Sequence, residues 1–487
     1  MKQSIPPPDQ QARLVELVTS RKREGLERRA ENDERWDAAE RIFWADYQLA
    51  SELEASAKSK GETLPRYRLP KTYRRVQTLT AYFFNRLNKA RPRFPFIGGG
   101  PEDEAGAEYF SNVIDSDFDN FGGPENLYDI LQNKHIYSVG YGKVLFKRNA
   151  VKVRRLVEKK NIMQLLAGRR GKMTMAETEE IREGCRLISR SPRQIVTDPS
   201  VPETLFHNGE YVIDETWKNL LFLKNDPNYF NLDEVGPWQS PDSTNRSGLS
   251  RSGGQGEQKT RTLPWNTGRM AALDECWIWL DPSEYRLLSD SDKKIQLWVL
   301  TLANNKTLIG CKPSVYTEMP FFNAVHAPDM SAKNTPSAVD LARPFQEDAD
   351  YLHKLRREDI RKLFIGVWGA DPSIWDVEKF TENKLGNMWL LKKNFWGRPG
   401  GTKDGLEQFK YQMVTQNYFA DMAALDEIIE DATMAGMAIS GEALPTKRSA
   451  SEVVQVTKSS AGPLDAAFEL LVSTSISRMC RLMRDQR

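Results

Sequence analysis

Apolar positions near the start of the chain recur in threes and fours: Leu14, Leu17 and Val18, then Trp36, Ala39, Ile42, Phe43, Tyr47 and Leu49. That period predicts an amphipathic helix over 11–56. Pro65 and Pro70 break the chain, and a second helix is predicted at about 71–89, ending at the turn-rich PRFPFIGGGP of 92–101. Further helices follow at about 102–119 and 124–138, the latter with Pro124 in its first turn. GYGKVLFKR (140–148) switches to a period of two and reads as a strand. The first 150 residues therefore read as a mostly helical unit with one sheet element.

Helical spacing returns over 174–188, and ETWKNLLFLKN (215–225) is another helix candidate. QSPDSTNRSGLSRSGGQGEQKT (239–260) holds little that can pack and reads as a mobile loop. ECWIWLDPSEYRLL and KKIQLWVLTLANNKTLIG, within 275–310, bring β-branched and aromatic runs about an Asn-Asn turn, which predicts a small β unit. FIGVW (364–368) and MWLLKKNF (388–395) read as strands and the Gly-rich WGRPGGTKDG (396–405) as a loop. Helices are predicted at about 406–435 and 463–487, the second capped by ISGEALPTKRSASEVVQ (439–455). The β unit is entered from a helix and left into one, so it is expected to project from an elongated subunit.

SAVDLARPFQEDADYLHKLRREDIRKLF (337–364) is predicted as one helix, about 40 Å long at ~1.5 Å per residue. One side carries Leu341, Phe345, Ala349, Leu352, Leu355 and Leu363; the other carries Arg343, Glu347, Asp350, Lys354, Arg357 and Arg361. Arg343–Glu347, Asp350–Lys354 and Glu358–Lys362 stand four apart, as ion pairs on a helix do. A surface helix laced with ion pairs accounts for the charges. It leaves unexplained why so long a rod also carries a narrow apolar stripe suited to a neighbouring rod. A ring of identical rods would use both sides, with Leu341, Phe345, Leu352 and Leu355 packing between copies. The six charged residues would then line a shared bore through which a polyanion passes without being trapped.

Composition narrows the classes. At 487 residues two or more domains are expected, and Lys+Arg 69 against Asp+Glu 67 leaves a net charge of +2. A whole-chain charge argument for nucleic acid therefore fails, and any basic site is local. Mean hydropathy is −0.59, which suits a subunit with much surface or one completed by assembly. Cys185, Cys276, Cys311 and Cys480 form no CxxC and read as buried free thiols in a reducing compartment. MKQSIPPPDQQ lacks a secretion signal's apolar core and no apolar run reaches a membrane span, so a cytoplasmic product with no membrane partner is expected.

The chemistry of enzymes is hard to find. GYGK (140–143) and GRRGK (168–172) are too short for a P-loop, and HExxH, GxSxG and zinc-knuckle spacings do not occur. His135, His207, His326 and His353 are not paired at ligand spacing. DSDFDNFGG (115–123) mimics the start of a calcium loop, but Asn120 and Asn126 stand where Gly and Glu are needed, so a solvated helix end is expected. No metal, cofactor or catalytic residue is assigned, and the chain is read as a non-enzyme.

Local charge says more. No acid occurs from Thr63 to Pro101 while nine cations do, interleaved with aromatics as in single-strand binders; Phe83, Phe84 and Leu87 at core spacing favour an ordinary packed helix whose cations are solvated or paired with acids elsewhere. A second block spans 147–172 and includes Lys152, Arg154, Arg155, Lys159 and Lys160 against the single acid Glu158. A phosphate backbone or an acidic neighbouring subunit would each suit it. Arg478, Arg481, Arg484 and Arg487 at the end of the chain read as capping, solvated cations.

The order of parts resembles the portal (head–tail connector) proteins of tailed bacteriophages, especially the short-tailed type. The likeness is carried by DILQNKHIYSVGYGKVLFKR (129–148), SPRQIVTDPSVPETLFHNGEYVIDETW (191–217), MPFFNAVHAPD with SAVDLARPFQEDADYLHKLRREDI (319–360), which includes Gln346, and MAISGEALPTKRSASEVVQVTKSSAG (437–462). Each motif is degenerate; their order over about 30–480 is what resembles the family. The resemblance implies a predominantly helical α+β subunit with wing, stem helices and a small β-rich clip. Its parts would be wing 1–213, first stem helix and mobile loop 214–261, clip 262–330, second stem helix 331–365, wing 366–435, and C-terminal wing or crown helices 436–487. It places a tunnel loop at 392–405, with Lys392, Lys393, Arg398 and Lys403 near passing DNA.

The same resemblance implies a dodecameric homo-oligomer at one capsid vertex of the virion, assembled in host cytoplasm. Double-stranded DNA would pass through it, and the terminase large subunit, the tail adaptor or head-completion protein and the major capsid protein would dock on it. Two other classes stay open: a monomeric nucleic-acid-processing enzyme, and a helical scaffold or adaptor protein.

Overall fold

The computed structural model describes residues 5–45, 69–89, 91–159, 172–237, 270–287, 294–332, 334–365, 367–370, 406–409, 415–434 and 462–487, with backbone alone over 149–159, 172–182, 367–370, 406–409 and a few positions near 358–365. It is an α+β protein whose sheets are antiparallel. The helices α1 (Pro8–Phe43), α2 (Lys71–Lys89), α3 (Glu104–Asn120) and α4 (Gly123–Tyr137) come first. They lead into a long hairpin of β1 (Val139–Lys159) and β2 (Lys172–Arg190).

A five-stranded sheet follows in the order β3 (Ile195–Thr197), β4 (Tyr211–Asn219), β5 (Met270–Leu280), β6 (Gln296–Ala303) and β7 (Thr307–Pro313). A five-residue helix, α5 (Leu220–Lys224), follows β4. β8 (Phe321–Val325) returns to pair with β1, and the long helix α6 (Ala338–Ile365) comes next. β9 (Val367–Ala370) pairs with β10 (Leu406–Phe409), then come α7 (Tyr418–Thr433) and α8 (462–486), the latter with a π turn at Val472–Ile476.

Three predictions of secondary structure are corrected. Residues 174–188 are strand, because β2 pairs with β1 over its whole length, Tyr141 against Arg190 out to Lys159 against Lys172. Residues 215–219 belong to β4, leaving only Leu220–Lys224 as α-helix, so the described part of the expected first stem segment (214–261) is mostly strand and turn. Residues 406–409 are strand, and the helix predicted from 406 begins at Tyr418. In each case pairing with a distant strand outweighs a local period. The mobile loop at 239–260, the strand at 388–395 and the loop at 439–455 lie outside the described residues.

The expected projecting β unit is also corrected. β5, β6 and β7 share one sheet with β3 and β4, and Leu14 and Val18 of α1 pack on that sheet against Tyr211, Ile278 and Trp298. The described chain ahead of β5 is β4, the five-residue α5 and a short 3-10 turn at Leu232–Glu234. The Asn-Asn turn is borne out: Asn304 and Asn305 hold left-handed φ of 55° and 57° within the three-residue loop between Ala303 and Thr307. The Gly-x-Gly that opens β1 is needed for close approach. A Cβ at Gly140 would collide with the Ile130 carbonyl of α4, and one at Gly142 with the Phe322 ring of β8.

The two larger sheets meet through a buried polar cluster. Lys143 of β1 donates to Asp214 of β4 and Glu275 of β5, each at 2.8 Å, and Arg190 of β2 donates to Asp214 at 3.2 Å. Burial pulls the Lys143 pKa down, but the Glu275 and Asp214 carboxylates outweigh it and hold the ammonium charged. We expect Lys143→Met to cost about 3–5 kcal/mol in denaturant melts, since it leaves Asp214 short of a counter-charge in the core. An unchanged midpoint contradicts that role.

A few residues away lie bases without such help. Lys134 is buried over the Phe83 ring, 4.3 Å from its centroid, and burial lowers its pKa from 10.5 to about 7. Burial likewise lowers His207 from 6.5 to about 4 and His326 to about 3. A depressed base binds its proton more readily once unfolded, so stability falls as pH drops from 10.5 towards 7 for Lys134, and again below 6.5 for the histidines. Lys134→Met should therefore raise the melting temperature at pH 7.5 and flatten the alkaline rise in stability. A melting curve with the parent's pH slope contradicts it.

Candidate functional site

Prolonged beyond any single neighbour, α6 is the element to which the sequence assigned most, and its seating decides what it offers. Its start is a reciprocal cap: Asp340 N–H donates to Ser337 Oγ at 3.0 Å, and Ser337 N–H donates to Asp340 Oδ2 at 2.9 Å. Arg35 of α1 ties the same carboxylate at 2.8 Å. One turn further, buried Gln346 accepts from Thr72 N–H at 3.1 Å and Thr72 Oγ1 at 3.0 Å, and donates to the Leu69 carbonyl at 2.7 Å. Asp350 accepts from Leu69 N–H at 2.8 Å and from Gln346 Nε2 at 3.0 Å. The orphan donors at the start of α2 are thus capped by side chains of α6.

Towards its other end α6 rests on α7. Asp359 accepts from Thr415 N–H at 2.9 Å and Thr415 Oγ1 at 2.7 Å, while His353 Nδ1 meets Tyr418 OH at 2.7 Å. α2 joins the same group, with Lys71–Asp426 at 2.7 Å and an Arg75–Glu430 ion pair.

This seating turns a broad arc of α6 outward, and the arc has two flanks. Arg343, Glu347 and Arg357 are exposed and Lys354 half-buried, with Arg343–Glu347 paired at 3.1 Å. Asp350, predicted among them, is buried in the cap of α2, which is a correction to its bore-facing role. Arg361 lies on the helix backbone near Arg357. On the second flank Leu341 and Leu363 are 39% and 49% exposed, with Phe345, Leu352 and Leu355 half-buried and Asp348 exposed among them. α7 also exposes apolar side chains, Phe419 at 77% and Ile428.

Elsewhere the predicted charge sites resolve differently. The cations of 71–93 meet acids, as the packed-helix reading expected: besides Lys71 and Arg75, Arg86 pairs with Asp465, and Arg93 with Asp115 at 3.1 Å and Asp119 at 2.7 Å. Of the calcium-like acids Asp115 is tied and Asp119 stays exposed beside Arg93, while Asp117, its pKa raised by burial, accepts from Cys185 N–H at 2.9 Å. Arg478 is not a solvated cation either; it is buried and donates to the Phe321 carbonyl at 3.0 Å. Lys152, Arg154, Arg155 and Lys159 lie on β1, where Lys152 stands opposite Glu179 and Arg154 opposite Glu177. Reading 174–188 as helix hid that balance. Lys160, Lys392, Lys393, Arg398 and Lys403 lie outside the described residues.

Two clusters escaped the sequence reading. His135 Nδ1 and His326 Nδ1 come within 3.2 Å although 191 residues apart. The Gln346 cap of α2 joins residues 274 apart. Both depend on tertiary packing and have no local signal. Among the described residues no group of three His, Cys, Asp or Glu side chains is placed to hold a metal, and no helix is long and apolar enough to cross a membrane. The described thiols are free, with Cys185, Cys276 and Cys311 buried and Cys480 half-buried. No known family model matches the chain, and no curated protein matches it significantly.

Gln346→Leu should strand the Thr72 donor and the Leu69 carbonyl. A loss of about 1–3 kcal/mol in chemical denaturation is expected, with faster amide exchange in the first turn of α2. Unchanged exchange there contradicts the cap.

Proposed function

We propose that the chain is the subunit of a portal-type ring, a channel for DNA at a capsid vertex. The observation that carries this reading is α6: a 28-residue rod with a charged flank and an exposed apolar flank side by side. Copies arranged as staves would bury Leu341, Phe345, Leu352, Leu355 and Leu363 between neighbours. Arg343, Glu347, Lys354, Arg357 and Arg361 would face the bore. With Asp350 withdrawn into the cap of α2, four cations stand against Glu347 on this flank, so passing phosphates would meet a hydrated, moderately cationic wall.

In this reading the subunit carries no catalysis; it is a passage and a platform. Packaging work would come from a terminase large subunit docked on the ring, and a tail adaptor or head-completion protein would later take that place. The ring would sit among copies of the major capsid protein. The order of sequence motifs and the completion of α6 as one helix support the assignment, and a dodecamer is the number the resemblance implies.

Negative-stain images of the purified full-length chain test it: rings with a central hole wide enough for a duplex are expected. Globular monomers would favour a nucleic-acid-processing enzyme instead, and filaments or small oligomers a scaffold or adaptor. In a packaging system, Arg343→Glu with Arg357→Glu should leave ring assembly intact and change the amount or retention of packaged DNA. Loss of assembly in that variant would place the charged flank in a subunit contact and contradict its bore-facing position.

A further inference from the structure

The β1–β2 hairpin outruns the body that supports it. β8 pairs with β1 only over Val139–Lys143. Beyond that, the body closes the hairpin's edges group by group. On β1, Val144 N–H donates to the Pro320 carbonyl at 2.9 Å and Phe146 N–H to Tyr316 OH at 3.3 Å. On β2, Ser189 N–H goes to Asn126 Oδ1 at 2.8 Å, Cys185 N–H to Asp117 Oδ2 at 2.9 Å, and the Glu183 carbonyl accepts from Arg487 at 3.3 Å. These outward groups recur every second residue, as an antiparallel ladder requires. Carried on, the same alternation aims the N–H groups of Arg148, Ala150, Lys152, Arg154, Leu156 and Glu158 out of one edge. Those of Ile181, Glu179, Glu177, Met175 and Met173 point out of the other. Among the described residues no strand pairs with either edge there.

The two edges differ in charge. Over 147–159 β1 carries Lys147, Arg148, Lys152, Arg154, Arg155 and Lys159 against Glu158. Over 173–183 β2 carries Glu177, Glu179, Glu180 and Glu183 against Arg182. A two-stranded ribbon about 40 Å long at ~3.4 Å per residue is marginal in water by itself, and open edges are a template for pairing.

We infer that this ribbon is a head-to-tail docking surface for a second copy of the chain: the acidic β2 edge of one copy pairs with the basic β1 edge of the next. β1 and β2 are antiparallel, so copies related by rotation about one axis meet β2 against β1 in antiparallel sense. Rows through Arg148 and Glu183, Lys152 and Glu179, and Arg154 and Glu177 can then alternate cation and carboxylate across the joined sheet. A contact that uses two different edges is heterologous and propagates until it closes. The inference rests on the ring reading for that closure, and it assigns the basic block of 147–159 to a neighbouring subunit rather than to phosphate.

Charge-reversed full-length chains test it. Glu177→Lys with Glu179→Lys makes both edges basic, and Lys152→Glu with Arg154→Glu makes both acidic. Each alone should need roughly tenfold or more higher concentration for half assembly, from several lost pairs at ~0.2–1 kcal/mol each. Mixed one to one, they should recover the parent's assembly as alternating copies, although repulsion inside each ribbon is unrelieved. Native mass and sedimentation give the readout, with circular dichroism to check folding. Parent-like assembly of either variant alone, or no recovery in the mixture of folded chains, overturns the inference. If a reversed chain fails to fold, Glu179→Pro decides: it removes an outward N–H while sparing the β1–β2 ladder, so assembly should fall, and unchanged assembly overturns the inference. A parent chain that stays monomeric overturns the ring as well, whereas rings indifferent to these changes overturn only the ribbon's part in them.

Discussion

One buried amide decides which way the long helix faces. Gln346 spends its donor and acceptor capacity on the start of α2, satisfying backbone groups that would otherwise lie unpaired in the interior. With that side of α6 committed to α2, and Asp350 committed alongside it, the rotation of the rod about its axis is fixed. Arg343 and Glu347 then fall on one side of the exposed arc and Leu341 and Leu363 on the other. A rod free to roll by a quarter turn would bury half of either flank and present neither.

The body behind the helix is built to resist such movement. Lys143 locks the three-stranded sheet to the five-stranded one, and the pair is expensive to open because each member is buried with the other as its counter-charge. Lys134, His135 and His326 sit in the same core with little compensation, so the block is less stable than a wholly apolar one and its stability depends on pH.

How much of this was legible in the sequence follows from the range of the signal. Residues 71–89 and 338–365 could be read from period alone, since their apolar faces repeat over many turns. The Asn-Asn hairpin was legible because two consecutive residues at positive φ leave a compositional mark. The strand over 172–190 was not: Cys185 and Leu187 face the core at a strand's spacing, but only the nineteen-residue register with β1 distinguishes that from a helix face. On α6, Leu341 and Leu363 are exposed, whereas Asp350 left the charged stripe because a side chain four residues from a buried glutamine can share its site. Nothing in the sequence marks Thr72 and Leu69 as the partners.

Thiol labelling of α6 in assembled material is the direct test. Leu341→Cys and Glu347→Cys each place a thiol on one flank, in a chain where Cys185, Cys276 and Cys311 are buried and Cys480 half-buried. The account predicts that both label in dilute monomer, that Leu341→Cys is protected once copies assemble, and that Glu347→Cys stays reactive to a small maleimide that can enter the bore. Protection of Glu347→Cys with Leu341→Cys still open would contradict the arrangement of the flanks, and equal reactivity of both in assembled particles would remove α6 from the subunit contact.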